Sequence, residues 1–214
     1  MEDVLEVYHR PYDPLRPVVC MDEKSKELHA EVRAPEPCRP ARDERPGVPR
    51  KQDGEYERQG TANLFIWFEP LTGQRHLQVT VRRTREDWAR SLKQLVDEEY
   101  AAAEQIVLVL DNLNIHTLGS LYETFAPAEA RRLAAKLEIH YTPKHGSWLN
   151  MAEIELSVLG RQCLNRRLAD VEGLQGEVAS WEAERNGRGT AMEWRFTTAD
   201  ARIKLKHLYP TLKG

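Results

Sequence analysis

Apolar positions recur along this chain with two periods, near 2 and near 3.6, and their succession lays out the elements. Val18, Val19, Cys20 and Met21 form a continuous apolar run of buried-strand length within residues 17–25, and the run stops at Asp22. From about Arg33 to Gly60, five prolines, many charges and few large apolar residues argue against a regular element. A connection that long inside one domain is usually functional or disordered. Residues 61–70 read as a strand, Leu71–Gln74 as a turn, and 75–83 as the alternating partner, with Leu77, Val79 and Val81 on one face.

Thr84 stands three positions before Asp87, a capping-box start, and Trp88, Leu92, Leu95 and Val96 make one stripe of a helix over 84–103 that should cross back over the sheet. Residues 105–112 are apolar from Ile106 to Leu110, as in a central strand buried on both faces, and end on Asp111. Helices over 118–136, from about Ser147, over 171–185 and over 198–209, with a strand over 137–143, complete the chain; Asp170 and Thr197 are the N-cap candidates. The order predicts an α/β fold, a hairpin-led mixed sheet with helices on its faces and no internal repeat.

Composition narrows the function classes. The 214 residues, 41% hydrophobic and 30% charged, suit one globular domain, and no apolar run approaches the roughly 20 residues of a membrane span. The start carries no basic segment followed by an apolar one, so the cytosol is the expected compartment. Cys20, Cys38 and Cys163 are odd in number and lack C-x-x-C spacing, which indicates neither a disulfide framework nor a zinc site. A net charge of -3 argues against a strongly basic nucleic-acid binder. Basic clusters remain at 81–85 and 161–167, and Arg33, Arg39, Arg42, Arg45, Arg50 and Lys51 punctuate the proline-rich stretch.

Three acids share one kind of address: Asp22 and Asp111 at strand ends, and a glutamate on the first turns of the helix after the last strand. In a mixed sheet such positions fall on one rim. Carboxylates packed together repel one another unless a divalent cation holds them ionised. Oxygen donors without cysteine or histidine at ligand spacing suit Mg²⁺ or Mn²⁺, and two such ions serve phosphodiester chemistry. On a helical wheel Leu149, Ala152, Leu156, Leu159 and Cys163 form the core stripe, Glu153 lies on one flank with Asn150 and Ser157, and Glu155 on the other. Geometry leaves both glutamates open; the small Ser157 and Gly160 tilt the choice modestly to Glu153.

Three blocks, "CMDEKS", "LVLDNLNIH" and "HYTPKHGSWLNMAEIE", in this order, resemble the DDE transposases of bacterial insertion sequences related to the mariner group. The resemblance runs from about residue 17 to 165, includes "EYERQGTANLF", and weakens beyond. It implies an RNase H-like fold, shared with retroviral integrases, with residues 1–16 as an N-terminal extension, 17–165 as the catalytic core carrying a Pro/Arg-rich insertion at 33–60, and 166–214 as a helical part of the same domain. By motif Asp22, Asp111 and Glu153 would be the catalytic, metal-binding triad, spaced 89 and 42 positions apart, the second interval somewhat longer than the mariner pattern. Glu155 is then the bystander.

The same resemblance implies double-stranded DNA as partner, insertion at TA dinucleotides and a dimer on DNA. It also implies that a helix-turn-helix part lies on a separate segment, as in a split reading frame or a truncated copy. Asn112 and His116 are candidates to touch DNA or steady the loop after Asp111. Lys144 and His145 are candidates for phosphate contact at a helix N-terminus, and Asn150 for hydrogen bonding to a ligand or water. Trp148 reads as a core anchor rather than a base-stacking platform. The rival readings are an inactive relic serving as a DNA- or protein-binding module, a metal-independent carboxylate-pair glycosidase, and a nucleotide-binding module, which "GRGT" at 187–190 does not support.

Overall fold

In a computed structural model of the chain, residues 1–41, 47–49 and 51–209 are described. Five strands form one sheet: β1 (Val18–Glu31), β2 (Tyr56–Glu69), β3 (Gln74–Thr80), β4 (Ile106–Leu110) and β5 (Leu137–Tyr141). Their order is β3-β2-β1-β4-β5, with β1–β2 and β2–β3 antiparallel and β1–β4 and β4–β5 parallel. The mixed, hairpin-led sheet is the one the pattern predicts.

Helices cover both faces. On one face α2 (Arg85–Gln94), α3 (Leu118–Thr124) and α4 (Pro127–Ala135) bury Trp88, Leu92, Leu121 and Leu133 against Val19, Met21, Phe65 and Leu108. On the other, α1 (Glu2–Tyr8), α5 (Met151–Leu159), α6 (Val171–Gly187) and α7 (Thr198–Lys204) pack Leu5, Leu156, Val178 and Ala201 against Cys20, Ile66 and Val109. The alternation of Val19 and Met21 against Cys20 shows why: successive side chains of a strand serve opposite faces. No helix of the described residues is long and apolar enough to cross a membrane.

Several boundaries differ from the sequence reading, each for a physical reason. β1 does not stop at Asp22; it continues to Glu31 because β2 begins at Tyr56 and supplies antiparallel partners along its length, Asp22 facing Ile66 and Lys26 facing Ala62. Beyond the strands the ribbon goes on as isolated bridges between Glu36 and Lys51 and between Arg39 and Val48. Arg42, Arg45 and Arg50, among the charges noted there, lie outside the described residues.

The single helix expected over 118–136 is two. Pro127 takes the first position of α4, and Ala126 before it is extended at ψ 147°, since a proline ring clashes with the preceding helical turn and disfavours α backbone one residue upstream. The helix expected from Ser147 opens as a 3-10 turn, Ser147–Leu149, so α5 begins at Met151. Thr84 and Asp87 form the expected capping box, and Asp170 and Thr197 cap α6 and α7.

Candidate functional site

Register brings the two aspartates together. The parallel pairing sets Val18 against Val107 and Cys20 against Val109, an offset of 89 residues, and Asp22 and Asp111 are separated by the same 89 positions. Both have the parity of Cys20 and Val109, which face α5. α5 packs across β1, held there by Asn150: its Nδ2 donates to Met21 O at 2.7 Å and its Oδ1 accepts from Ala152 N–H at 3.1 Å, capping the helix. Tyr8 from α1 donates to Leu149 O at 2.6 Å and fixes the preceding turn. Glu153 then emerges exposed on the first turn.

The result is one open cleft of about 870 Å³ lined by Asp22, Asp111, Glu153, Asn150, Ser157 and Gly160, with Lys24, Lys26 and Arg161 on its wall. Among the described residues, no histidine or cysteine lines it. Among the described residues, no three His, Cys, Asp or Glu side chains are grouped closely enough to form a ready-made metal cage.

Electrostatics sort the two aspartates. Burial, joined by the charges of Glu23, Asp111 and Glu153, pushes the Asp22 carboxyl up to about 7 against the pull of the Glu23 N–H, which donates to it at 2.8 Å. Burial also acts on Asp111, but the hydrogen bond and charge of His116 outweigh it and hold that carboxyl below its usual value. His116 Nδ1 lies 2.6 Å from Asp111 Oδ1. Its Nε2 is paired with Glu23 Oε2 at 3.1 Å as an ion contact. Burial opposes the imidazolium, yet these two carboxylates raise His116 to about 9.

The remaining candidates are dispersed. His116 is fully buried, its Nδ1 against Asp111 at the start of the loop after β4. Asn112 is exposed on that loop. Lys144 and His145 are exposed but do not line the cleft, and the helix N-terminus argued for them belongs to Asn150, beyond the 3-10 turn. Trp148 is no core anchor: 42% exposed, it stacks on Trp194 at 6.3 Å and meets the edge of Phe196. Glu155, two residues from Glu153, turns away from the cleft into a buried contact with Arg75 (3.1 Å) and Arg185 (2.8 Å). Glu23, Lys24 and Lys26 also border the cleft; with β1 continued past Asp22 at period two, "DEKSK" puts Lys24 and Lys26 on the face of Asp22, while Glu23 alternates toward the other face and reaches the cleft at its edge.

A search of curated proteins finds no significant match. Solved structures are similar in fold. The Mos1 transposase paired-end complex with left transposon end matches at TM-score 0.58 and 15% identity, over 88% of this chain and 56% of that one. The Mos1 strand transfer complex matches at 0.57 and 16%, over 87% and 54%, and the mariner Mos1 paired-end complex with Mg at 0.53 and 14%, over 88% and 56%. The chain thus spans little more than half the length of these proteins, and the likeness gives the fold, RNase H-like as the resemblance implied. A family profile, DDE superfamily endonuclease, matches residues 17–175. With most of its length so matched, and its sheet and helices arranged as in those structures, the chain belongs to the DDE superfamily endonucleases.

Proposed function

We propose that this endonuclease domain is the catalytic part of a transposase, which cuts DNA at transposon ends and joins the freed 3′-hydroxyl to target DNA. Asp22, Asp111 and Glu153 are its proposed catalytic residues, holding two Mg²⁺ or Mn²⁺ ions. The observation that supports this reading best is that two aspartates at equal register on adjacent parallel strands share one cleft with Glu153. Superfamily enzymes use divalent metals, and the donor set suits them: oxygen ligands only, with Asp22 set among carboxylates whose repulsion a cation relieves. When bound, such ions activate the attacking oxygen and stabilise the leaving one of a phosphodiester.

The chain's own residues position and neutralise. Asn150 fixes α5 to β1 and thereby the approach of Glu153 to the aspartates. Lys24 and Arg161 bring positive charge to the cleft wall, where the DNA backbone passes; Asn112, Lys144 and His145 are exposed on nearby loops as further contacts. Lys26 is engaged instead, donating to Leu164 O and Arg166 O. Residues 17–165 are the core, 166–214 its helical complement, and the ribbon within 33–60 reaches DNA or a second subunit of a dimer. Recognition of the transposon ends falls to a separate helix-turn-helix part, and the site of action is the nucleoid.

The test is Mn²⁺-dependent nicking of supercoiled plasmid by the purified chain. Wild type is expected to nick, and Asp22→Asn, Asp111→Asn and Glu153→Gln to fall to background with unchanged folding. Nicking that persists in EDTA or in Glu153→Gln overturns the assignment.

A further inference from the structure

The acids of the cleft are supported from behind by a buried array that crosses to the other face of the sheet. Beyond Cys20 and Val109 the parallel ladder ends, and β1 runs on paired only with β2. His116, from the loop after β4, lies between Asp111 and Glu23, fully buried, with one ring nitrogen against each carboxylate. Glu23 is itself enclosed, its side chain 4% exposed, and its other oxygen meets Arg83 Nη1 at 3.3 Å. The ring packs against Trp88 at 5.7 Å, while Tyr141 Oη donates to His116 O at 2.8 Å and fixes its backbone. Asp111 Oδ1 accepts from both His116 and Leu113 N–H; among the described residues its Oδ2 has no such partner.

We propose that His116 is a positioning residue for Asp111 and that Glu23 is its anchor. With Nδ1–H donating to Asp111 Oδ1 and Nε2 in ion contact with Glu23 Oε2, the imidazole cannot rotate without leaving one acid unpaired in a buried site. Asp111 is therefore held through Oδ1, and Oδ2 is the atom presented to the cleft. Because Glu23 directly follows Asp22 and its N–H binds the Asp22 carboxylate, one side chain and one peptide tie both aspartates to a common support. The inference rests on the metal reading above: groups that orient a ligand from behind change metal affinity, whereas a loop brace changes only stability.

Mn²⁺ titration calorimetry on the full chain, with thermal unfolding alongside, separates these. His116→Phe keeps the ring's bulk without its donors and should weaken Mn²⁺ binding by roughly 10- to 100-fold. Glu23→Leu should do the same, the double variant no worse than either, and His116→Gln, which keeps a donor, should lie between. Wild-type affinity in His116→Phe and Glu23→Leu, with binding lost in Asp111→Asn, overturns the positioning role and leaves the triad standing. Equal binding in Asp111→Asn, or none in wild type, overturns the metal reading instead. The contact itself is then read from the ¹⁵N signals of the His116 ring: both nitrogens are expected protonated, with Nε2 altered by Glu23→Leu, and a ring indifferent to Glu23 and to Asp111 refutes it.

Discussion

Glu153 and Glu155 sit two residues apart on one helix and have opposite surroundings. Glu153 is exposed on the cleft, with no cation bonded to it among the described residues. Glu155 is 1% exposed, clasped by Arg75 from β3 and Arg185 from α6. Arg75 is fully buried and also donates to Gly73 O and Thr190 O, and Asn186 bonds its backbone. One carboxylate thus locks three elements together while the other, the proposed catalytic one, stands free in the cleft. A buried charge that loses its partner is strongly destabilising, whereas an exposed one is nearly silent. Glu155→Ala should therefore cost about 3–5 kcal/mol in urea unfolding, because it strands Arg75. Glu153→Gln should stay within about 0.5 kcal/mol of wild type yet abolish nicking. An unfolding midpoint that moves with Glu153 and not with Glu155 would break the contrast.

The next effect is smaller and concerns the residue that aims the helix. Asn150→Ala removes both the cap and the bond to Met21 O, and should lower stability by about 1–2 kcal/mol in the same assay. Asn150→Asp restores the cap, since its carboxylate still accepts from Ala152 N–H, but sets an acceptor against the Met21 carbonyl. It should recover little of the stability and none of the nicking. If it behaves as wild type, the bond to β1 does not hold Glu153 in place.

The helical wheel separated the two glutamates onto different flanks but did not choose between them, because the cations that bind Glu155 come from β3 and α6, at long sequence distance. Local patterns carried the Thr84–Asp87 capping box, the buried strand Ile106–Leu110 and the helical period that sends Leu149, Ala152 and Leu156 inward. The long β1 was not legible: the polar residues after Met21 are held extended by pairing with β2, and that pairing outweighs their local preference. The aspartates were visible as strand-associated acids. Their equal register was not, since it depends on which strands become neighbours. α1 escaped notice because seven residues with Val4, Leu5, Val7 and Tyr8 buried are too short to show a period. The break at Pro127 is written in the sequence, since a proline is not accommodated in a helix interior, and it divides the single helix expected over 118–136.

Glu182 supplies the third case, burial without a full counter-charge. It lies on α6 in a small pocket beside His76 and Glu99, accepting from Leu77 N–H at 3.2 Å. Burial, with the charge of Glu99 beside it, pushes its carboxyl up to about 7 against the pull of the Leu77 N–H and of Arg75. The unfolded chain releases this proton near 4.5. Between those values the folded state holds a proton that the unfolded state has lost, so stability falls as pH rises through the window. The contribution is complete below about 4.5 and gone above about 7. Glu182→Gln keeps an acceptor for Leu77 but cannot ionise. Its stability relative to wild type should therefore grow as pH is raised from 4.5 to 7 and then level off, as read from unfolding midpoints of the two proteins in matched buffers. A constant difference across that range would mean that Glu182, like Glu155, is compensated where it sits.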